Sequence, residues 1–324
     1  MGYPDFVCMG FQKCGTTTLY QLLRQHPQVA LCRDVKEPMY YRVPFWSIMG
    51  RRFYRWRYFG HIEEGDARLL GEVNAGLTYG GCARKLKRDF SPDTKMIFMM
   101  RNPVDRSYSA YRYFLARGFL PASALHYDAA HGHAEGFDHY VRSVLDNGRK
   151  RSQIMKKRMK YIVLSQSNYA ACIGEYLDTF DLHNMKFAFF EEFICDEHAA
   201  CSEIYDFLGI GDVEDIDYHV KSNEGSERAT SWFRAKQFWL AKGTNYCLYD
   251  LCYAMRWMPR FYRNFRRYYR DVRKKTLLHD TDKSQVLPQT REYLMEYFNA
   301  DIRKLESLTG RDLHSIWRKE THMG

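Results

Sequence analysis

Two short stretches hold residue types whose spacing can do chemistry. The first is Gly10-Phe11-Gln12-Lys13-Cys14-Gly15-Thr16-Thr17-Thr18, which combines small residues, one lysine and three hydroxyls. It follows the apolar run Phe6-Val7-Cys8-Met9 and precedes the amphipathic Leu19-Tyr20-Gln21-Leu22-Leu23, so it reads as strand, tight loop and helix. A helix beginning there presents free backbone N–H groups and its positive dipole end to an anion. Lys13 adds a full charge, and the threonines add hydroxyl donors that can also cap the helix. The second stretch is Arg101-Asn102-Pro103-Val104-Asp105-Arg106-Ser107-Tyr108-Ser109. Pro103 suits a first helical turn, where its missing N–H would be unpaired anyway. Arg101 then sits at a strand tip and Ser109 about two turns into the helix. An arginine and a hydroxyl placed this way can hold a second, separate phosphate.

The first loop departs from the nucleoside-triphosphate pattern, which needs Gly, four residues and then Gly-Lys-Ser/Thr. Here Lys13 precedes Gly15. The strongly apolar Met96-Ile97-Phe98-Met99-Met100 ends in Arg101 and not in a metal-holding Asp. A phosphate grip without a magnesium ligand points to a donor whose chemistry needs no metal.

Taken together, the two stretches resemble the donor site of sulfotransferases. Residues Phe11 to Thr18 look like the family's 5′-phosphosulfate loop, and Met99 through Ser109 look like its 3′-phosphate site. The resemblance implies 3′-phosphoadenosine 5′-phosphosulfate as donor, with Lys13, Cys14, Gly15, Thr16, Thr17, Thr18, Arg101 and Ser109 around it and no metal. Lys36-Glu37-Pro38-Met39-Tyr40-Tyr41 resembles the segment after the first helix in heparan-type glycan sulfotransferases, where a Glu serves as base. That makes Glu37 the candidate base and Lys13 the candidate stabiliser of charge on the leaving phosphate. The competing reading of Glu37 is an ion-pair partner for Lys36 or a nearby arginine. Met185 to Glu192 resembles the later strand near the adenine, and Phe190 is either an adenine-stacking ring or a core residue. Ile204 to Ile210 resembles the helix that follows. Leu305 through Trp317 resembles the tail of bacterial members, and Asn223 and Arg228 are candidates to close over the donor. One departure concerns Gly71-Glu72. Heparan-type enzymes place Lys after this Glu, whereas Val73 stands here, so one expected substrate or sulfate contact is absent. The His base of the cytosolic small-molecule enzymes has no convincing counterpart.

Elements must position these residues. Strands are expected at 5–11, near 28–32, near 69–73 and at 94–100, with helices at 16–25 and 104–116. This alternation predicts an α/β fold, a central parallel sheet flanked by helices, with ligands at the C-terminal strand ends. The resemblance makes it the P-loop-like sulfotransferase fold, a single domain over 1–324 with a helical, basic C-terminal subregion. Residues 117–160, broken by Gly118, Pro121, Gly132, Gly136 and Gly148, read as an insertion over the site. Its His126, His131, His133 and His139 lack metal spacing and read as solvated loop histidines.

The segment 228–275 holds 13 Lys or Arg against Asp250 and Asp271. The whole chain carries +10, so the basic charge is local. Met258, Phe261, Phe265, Tyr268 and Val272 recur at helical spacing, and Arg260, Arg263, Arg267, Arg270 and Lys274 recur on another face. Such a helix packs on the domain, lies on an anionic membrane or binds an acidic polymer.

The length of 324 residues fits one large α/β domain. The nine cysteines are odd in number and without a Cys-x-x-Cys pair, which argues against a disulfide framework or zinc site. Cys14 is either a small residue required by the loop or a thiol whose pKa is lowered beside Lys13. No apolar run is long enough to span a membrane, and the first strand follows Met1 at once. The expected location is cytoplasmic, with peripheral contact at the inner membrane surface through 228–275 as the further reading. The leading function is sulfation of a carbohydrate or glycolipid hydroxyl. The alternatives are a small-molecule sulfotransferase for phenols or alcohols, with the 46 Tyr and Phe lining a pocket, or a membrane- or nucleic-acid-binding protein; the two phosphate motifs disfavour the last and make nucleic acid an unexpected partner.

Overall fold

The computed structural model describes residues 4–32, 35–38, 40–42, 48–63, 68–116, 120–148, 159–213, 215–218, 227–229, 277–279 and 284–318. In chain order the elements used below are β1 (Phe6–Cys8), α1 (Thr16–Gln25), β2 (Val29–Leu31), α2 (Gly50–Phe59), β3 (Leu69–Val73), α3 (Cys82–Asp89), β4 (Lys95–Met100), α4 (Pro103–Ala116), α5 (Ala122–His131), α6 (His133–Gly148), α7 (Met159–Ser165), α8 (Tyr169–Leu177), β5 (Met185–Phe189), α9 (Phe190–Cys195), α10 (Glu197–Leu208), β6 (Glu227–Ala229), β7 (Leu277–His279), α11 (Pro288–Thr309) and α12 (Leu313–Arg318). The chain forms two compact units. One comprises Met1–Ser107, Leu164–Ser222 and Glu292–Gly324, the other Tyr108–Val163 and Asn223–Arg291.

The first unit is built on a five-stranded sheet in the order β2-β3-β1-β4-β5, with every pairing parallel. Parallel neighbours need long crossovers, which the intervening helices supply. The strands are apolar runs without alternation, as in sheets covered on both faces; Phe6 to Cys8 and Met96 to Met100 are fully buried. From β1 the chain crosses through α1 to β2 on one side, whereas β4 and β5 lie on the other. Adjacent β1 and β4 therefore release their following loops in diverging directions, the topological switch point at which α/β sheets bind ligands.

The expected elements are present with small shifts at their ends. Helix α1 occupies the predicted 16–25, burying Leu19, Leu22 and Leu23 at the i, i+3, i+4 spacing of one face. Strand β1 is shorter than the predicted 5–11, but Met9 and Phe11 still donate to Ile97 and Met99 carbonyls of β4 (2.7 and 3.0 Å). Helix α10 is capped by Asp196, whose side chain accepts from the Ala199 amide, and ends at left-handed Gly209.

The second unit corrects the reading of 117–160. Its described part is helical, α5 and α6 joined through Gly132 at φ 87°. His133 is not solvated: it is buried, and its Nδ1 lies 2.8 Å from a carboxylate oxygen of the buried Asp128. Tyr111 donates to the same oxygen at 3.0 Å and packs on Phe137 and Tyr140. His126 and His131 are exposed as expected. His139 is half-buried and stacks on Tyr127 with ring centroids 4.0 Å apart. Strands β6 and β7 pair antiparallel. Apart from 228–229, the basic segment 228–275 lies outside the described residues, as does Asn223. No described helix is long and apolar enough to cross a membrane.

Candidate functional site

The loop after β1 turns through Lys13 at φ 73° and Gly15 at φ 82°. A left-handed conformation costs a non-glycine residue roughly 1–2 kcal/mol, so Lys13 holds strain of the sort that collects at functional sites. Gly15 is irreplaceable for a second reason: a Cβ there would lie 2.7 Å from the Phe190 ring. Alternating handedness of this kind turns successive amides toward one concavity, an anion nest. Of the five amides from Cys14 to Thr18, two are engaged: Cys14 donates to Phe11 O (3.2 Å) and Thr18 to Gly15 O (3.0 Å). Those of Gly15, Thr16 and Thr17 have no carbonyl partner among the described residues. They are the orphan donors of the α1 N-terminus, and no side chain caps them from Gly15.

The Cys14 thiol is buried, and burial pushes its pKa up to about 12. The lowered-pKa reading is thereby overturned, because desolvation outweighs the pull of Arg106 and Arg101. Cys14 is the small residue that the turn requires. All described cysteines are free, and no described cluster of three His, Cys, Asp or Glu has metal-binding geometry.

A residue absent from the expected site faces this loop. The Lys36 ammonium donates to both Thr16 Oγ1 and Thr17 Oγ1, each at 2.9 Å. Its side chain is 20% exposed, and Glu37, 41% exposed, lies 3.7 Å away. Burial lowers the Lys36 pKa, and Glu37 opposes that shift. The ion-pair reading of Glu37 thus has a partner in Lys36, and the Glu37 side chain stays partly exposed.

The turn is held from beneath. Asn74 Nδ2 donates to Pro38 O and to Glu72 Oε1, both at 2.7 Å, and Asn74 Oδ1 accepts from the Gly76 amide at 2.9 Å. Tyr54 donates to the other Glu72 oxygen. Glu72 is wholly buried at the end of β3, paired in register with Val7. Burial raises its pKa to about 7, with the Tyr54 and Asn74 hydrogen bonds pulling it down and the Glu37 charge pushing it further up. Sequence reasoning noted Glu72 only for the residue after it. A lone carboxyl inside Leu69-Leu70-Gly71-Glu72-Val73 was the available signal.

The turn after β4 is organised differently. Asn102 is the N-cap of α4, its Oδ1 accepting from the Val104 and Asp105 amides (2.9 and 3.3 Å). Asn102's own amide donates to Glu191 Oε1 at 2.8 Å, and its Nδ2 donates to Trp317 O at 3.1 Å. Arg106 is fully buried, with Nε donating to Ser167 Oγ at 2.5 Å. Arg101 is half-buried, with its guanidinium 4.5 Å above the Phe190 ring centroid. Phe190 is therefore wedged between Gly15 and Arg101 and links the two turns. Ser109 is half-buried on the stretch of α4 that belongs to the second unit.

An anion nest and a capped arginine turn on adjacent strands of a parallel sheet define an α/β protein of the P-loop-like type. The sulfotransferase-domain family model matches residues 3–277, and the chain belongs to the sulfotransferase family. Carbohydrate sulfotransferase 15 of Mus musculus is 29% identical over a match covering 34% of this chain and 27% of that protein. Membrane-associated sulfotransferase kil1 of Dictyostelium discoideum is 29% identical, over 34% of this chain and 23% of that protein. The chain thus spans about a quarter of the length of these curated relatives. A sulfotransferase from Alicyclobacillus acidocaldarius of known crystal structure superposes with a TM-score of 0.59 at 20% identity, covering 98% of this chain and 100% of that one; this likeness shows the shared fold.

Proposed function

We propose that this chain transfers a sulfuryl group from 3′-phosphoadenosine 5′-phosphosulfate to a hydroxyl of a carbohydrate or glycolipid. The observation that carries the reading is the nest of Gly15, Thr16 and Thr17 amides with Glu37 on the turn beside it. The residues present fit such a donor: three amides without a carbonyl partner among the described residues and the threonine hydroxyls would take the oxygens of its 5′ end, and Arg101 its 3′-phosphate. Lys13 counters charge on the leaving phosphate, and Glu37 accepts the proton of the acceptor hydroxyl. The partial match to a carbohydrate sulfotransferase supports a glycan acceptor. The phenol-pocket alternative loses its aromatic argument near the turn, since Tyr40, Tyr41, Tyr54, Tyr58 and Phe59 are fully buried against one another.

Release of 3′,5′-phosphoadenosine in the presence of extracted glycans, glycolipids and simple phenols tests this. We expect release with a glycan-containing fraction, and Glu37→Gln to lower kcat by about 10²–10⁴-fold with nucleotide affinity kept. Release stimulated by phenols alone would replace the acceptor class, and unchanged kcat in Glu37→Gln would remove the base.

A further inference from the structure

Three features of one turn converge on the donor side of the site. The Lys36 side chain reaches the loop from the 36–38 turn, with its ammonium 2.9 Å from each of two hydroxyls on the first turn of α1. Those hydroxyls flank the Thr16 and Thr17 amides, which have no carbonyl partner among the described residues. An ammonium mostly removed from water, held by two neutral hydroxyls and one carboxylate at 3.7 Å, is undercompensated, and an anion entering the nest supplies the missing charge. The turn itself is fixed through the Pro38 carbonyl, Asn74 and buried Glu72. Val73, at the end of β3, brings no charge to the site and is itself buried.

We propose that Lys36 is a second catalytic cation of the sulfuryl transfer proposed above, delivered by the same anchored turn that carries the base. The inference rests on that donor reading. In the step, the acceptor oxygen forms a bond to sulfur as the bond from sulfur to the 5′-phosphate oxygen breaks. The acceptor proton passes to Glu37, and the electron pair of the broken bond stays on the leaving phosphate. Lys36 transfers no proton. Its N–H groups move from the threonine hydroxyls to oxygens of the sulfuryl and leaving groups, where negative charge shifts during transfer. Lys13 approaches from within the loop and Lys36 from the facing turn, so the reacting end is bracketed by two cations. Adjacent placement of Lys36 and Glu37 ties the donor-side charge to the acceptor-side base through one backbone.

The test compares wild type, Lys36→Met and Lys36→Arg by calorimetric titration with 3′-phosphoadenosine 5′-phosphosulfate and with 3′,5′-phosphoadenosine, by turnover, and by thermal unfolding. In Lys36→Met we expect kcat to fall about 10²-fold, typical of losing a preorganised charge. Affinity for the sulfated donor should fall at least about tenfold, the worth of one charge-assisted hydrogen bond, while affinity for the unsulfated product changes about threefold or less. Lys36→Arg should recover most of the donor affinity, since the positive charge is kept. A Lys36→Met protein with wild-type kcat and wild-type preference for the sulfated donor would overturn the inference and leave the donor reading intact. Equal loss of both nucleotides with a lowered Tm would also overturn it, making Lys36 a strut of the loop. Failure of the wild type to bind either nucleotide would overturn the donor reading, and the inference with it.

Discussion

Two strand-to-helix turns stand on adjacent strands of the same sheet and treat their helix amides in opposite ways. After β1, Gly15 provides no side-chain cap, and the amides of Gly15, Thr16 and Thr17 stay without a carbonyl partner among the described residues. After β4, Asn102 caps α4, and Glu191 takes the Asn102 amide. The first turn can therefore bind an anion with its backbone and stores strain at Lys13 to do so. The second has its described amides engaged, which leaves side chains such as Arg101 to meet a ligand. Backbone recognition suits the end of a donor where charge redistributes during reaction, because preorganised dipoles need not rearrange. Side-chain recognition suffices for a distant phosphate that only positions the donor.

The largest effect should come at the first turn. Lys13→Ala should reduce kcat by about 10²–10³-fold in a protein that still folds, since Ala meets the same backbone strain as Lys. Near wild-type turnover would break the contrast by removing the reacting end from this loop.

Next in size is the strut opposite that turn. Burial raises the folded pKa of Glu72 to about 7 from an ordinary 4.5. Between those values the folded state keeps a proton that the unfolded state has lost, so this group's contribution to stability falls as pH rises through the window and is flat above it. Glu72→Gln abolishes that titration. The difference in unfolding free energy, Gln variant minus wild type, should rise by about 3 kcal/mol from pH 4.5 to 7. Denaturant titrations at both pH values measure it, and a constant difference would show that folding leaves the Glu72 pKa at its ordinary value.

A smaller, one-sided effect belongs to Arg101. Arg101→Ala should weaken donor binding about 10- to 100-fold, the range for a charge-assisted contact, with kcat little changed. A nucleotide lacking the 3′-phosphate should barely distinguish variant from wild type. Equal discrimination by both would detach Arg101 from that phosphate.

Asn102→Ala should give the smallest change, about 1 kcal/mol of stability from the lost cap, seen as a lower denaturation midpoint. Donor affinity should hold, because the second turn contributes no amide. A large loss of affinity without loss of stability would make the two turns equivalent.

How much of this could be read from the residues differs by the range of the interaction. Helix α1, strand β3 and the Arg101 turn were legible because their signals are local: an apolar run, a Gly-Thr start, a proline at the first helical position. His133 was misread because Gly132 resembles loop punctuation, whereas the chain uses it to join two helices whose packing buries the Asp128 pair. Lys36 and Glu72 were missed as site residues because their partners lie far off in sequence, Thr16 for one and Tyr54 for the other. Only the sheet order brings β3 beside β1, and with it the carboxyl that anchors the turn. Cys14 shows the same limit in reverse: its neighbours in sequence argue for a reactive thiol, and its burial in the folded loop removes one.

The most direct measurement is a crystal structure of the wild type with 3′,5′-phosphoadenosine. We expect the 5′-phosphate within hydrogen-bond distance of the Gly15, Thr16 and Thr17 amides, with the Arg101 guanidinium on the 3′-phosphate. A 5′-phosphate bound away from those three amides would contradict the assignment of the first turn as the reacting end of the site.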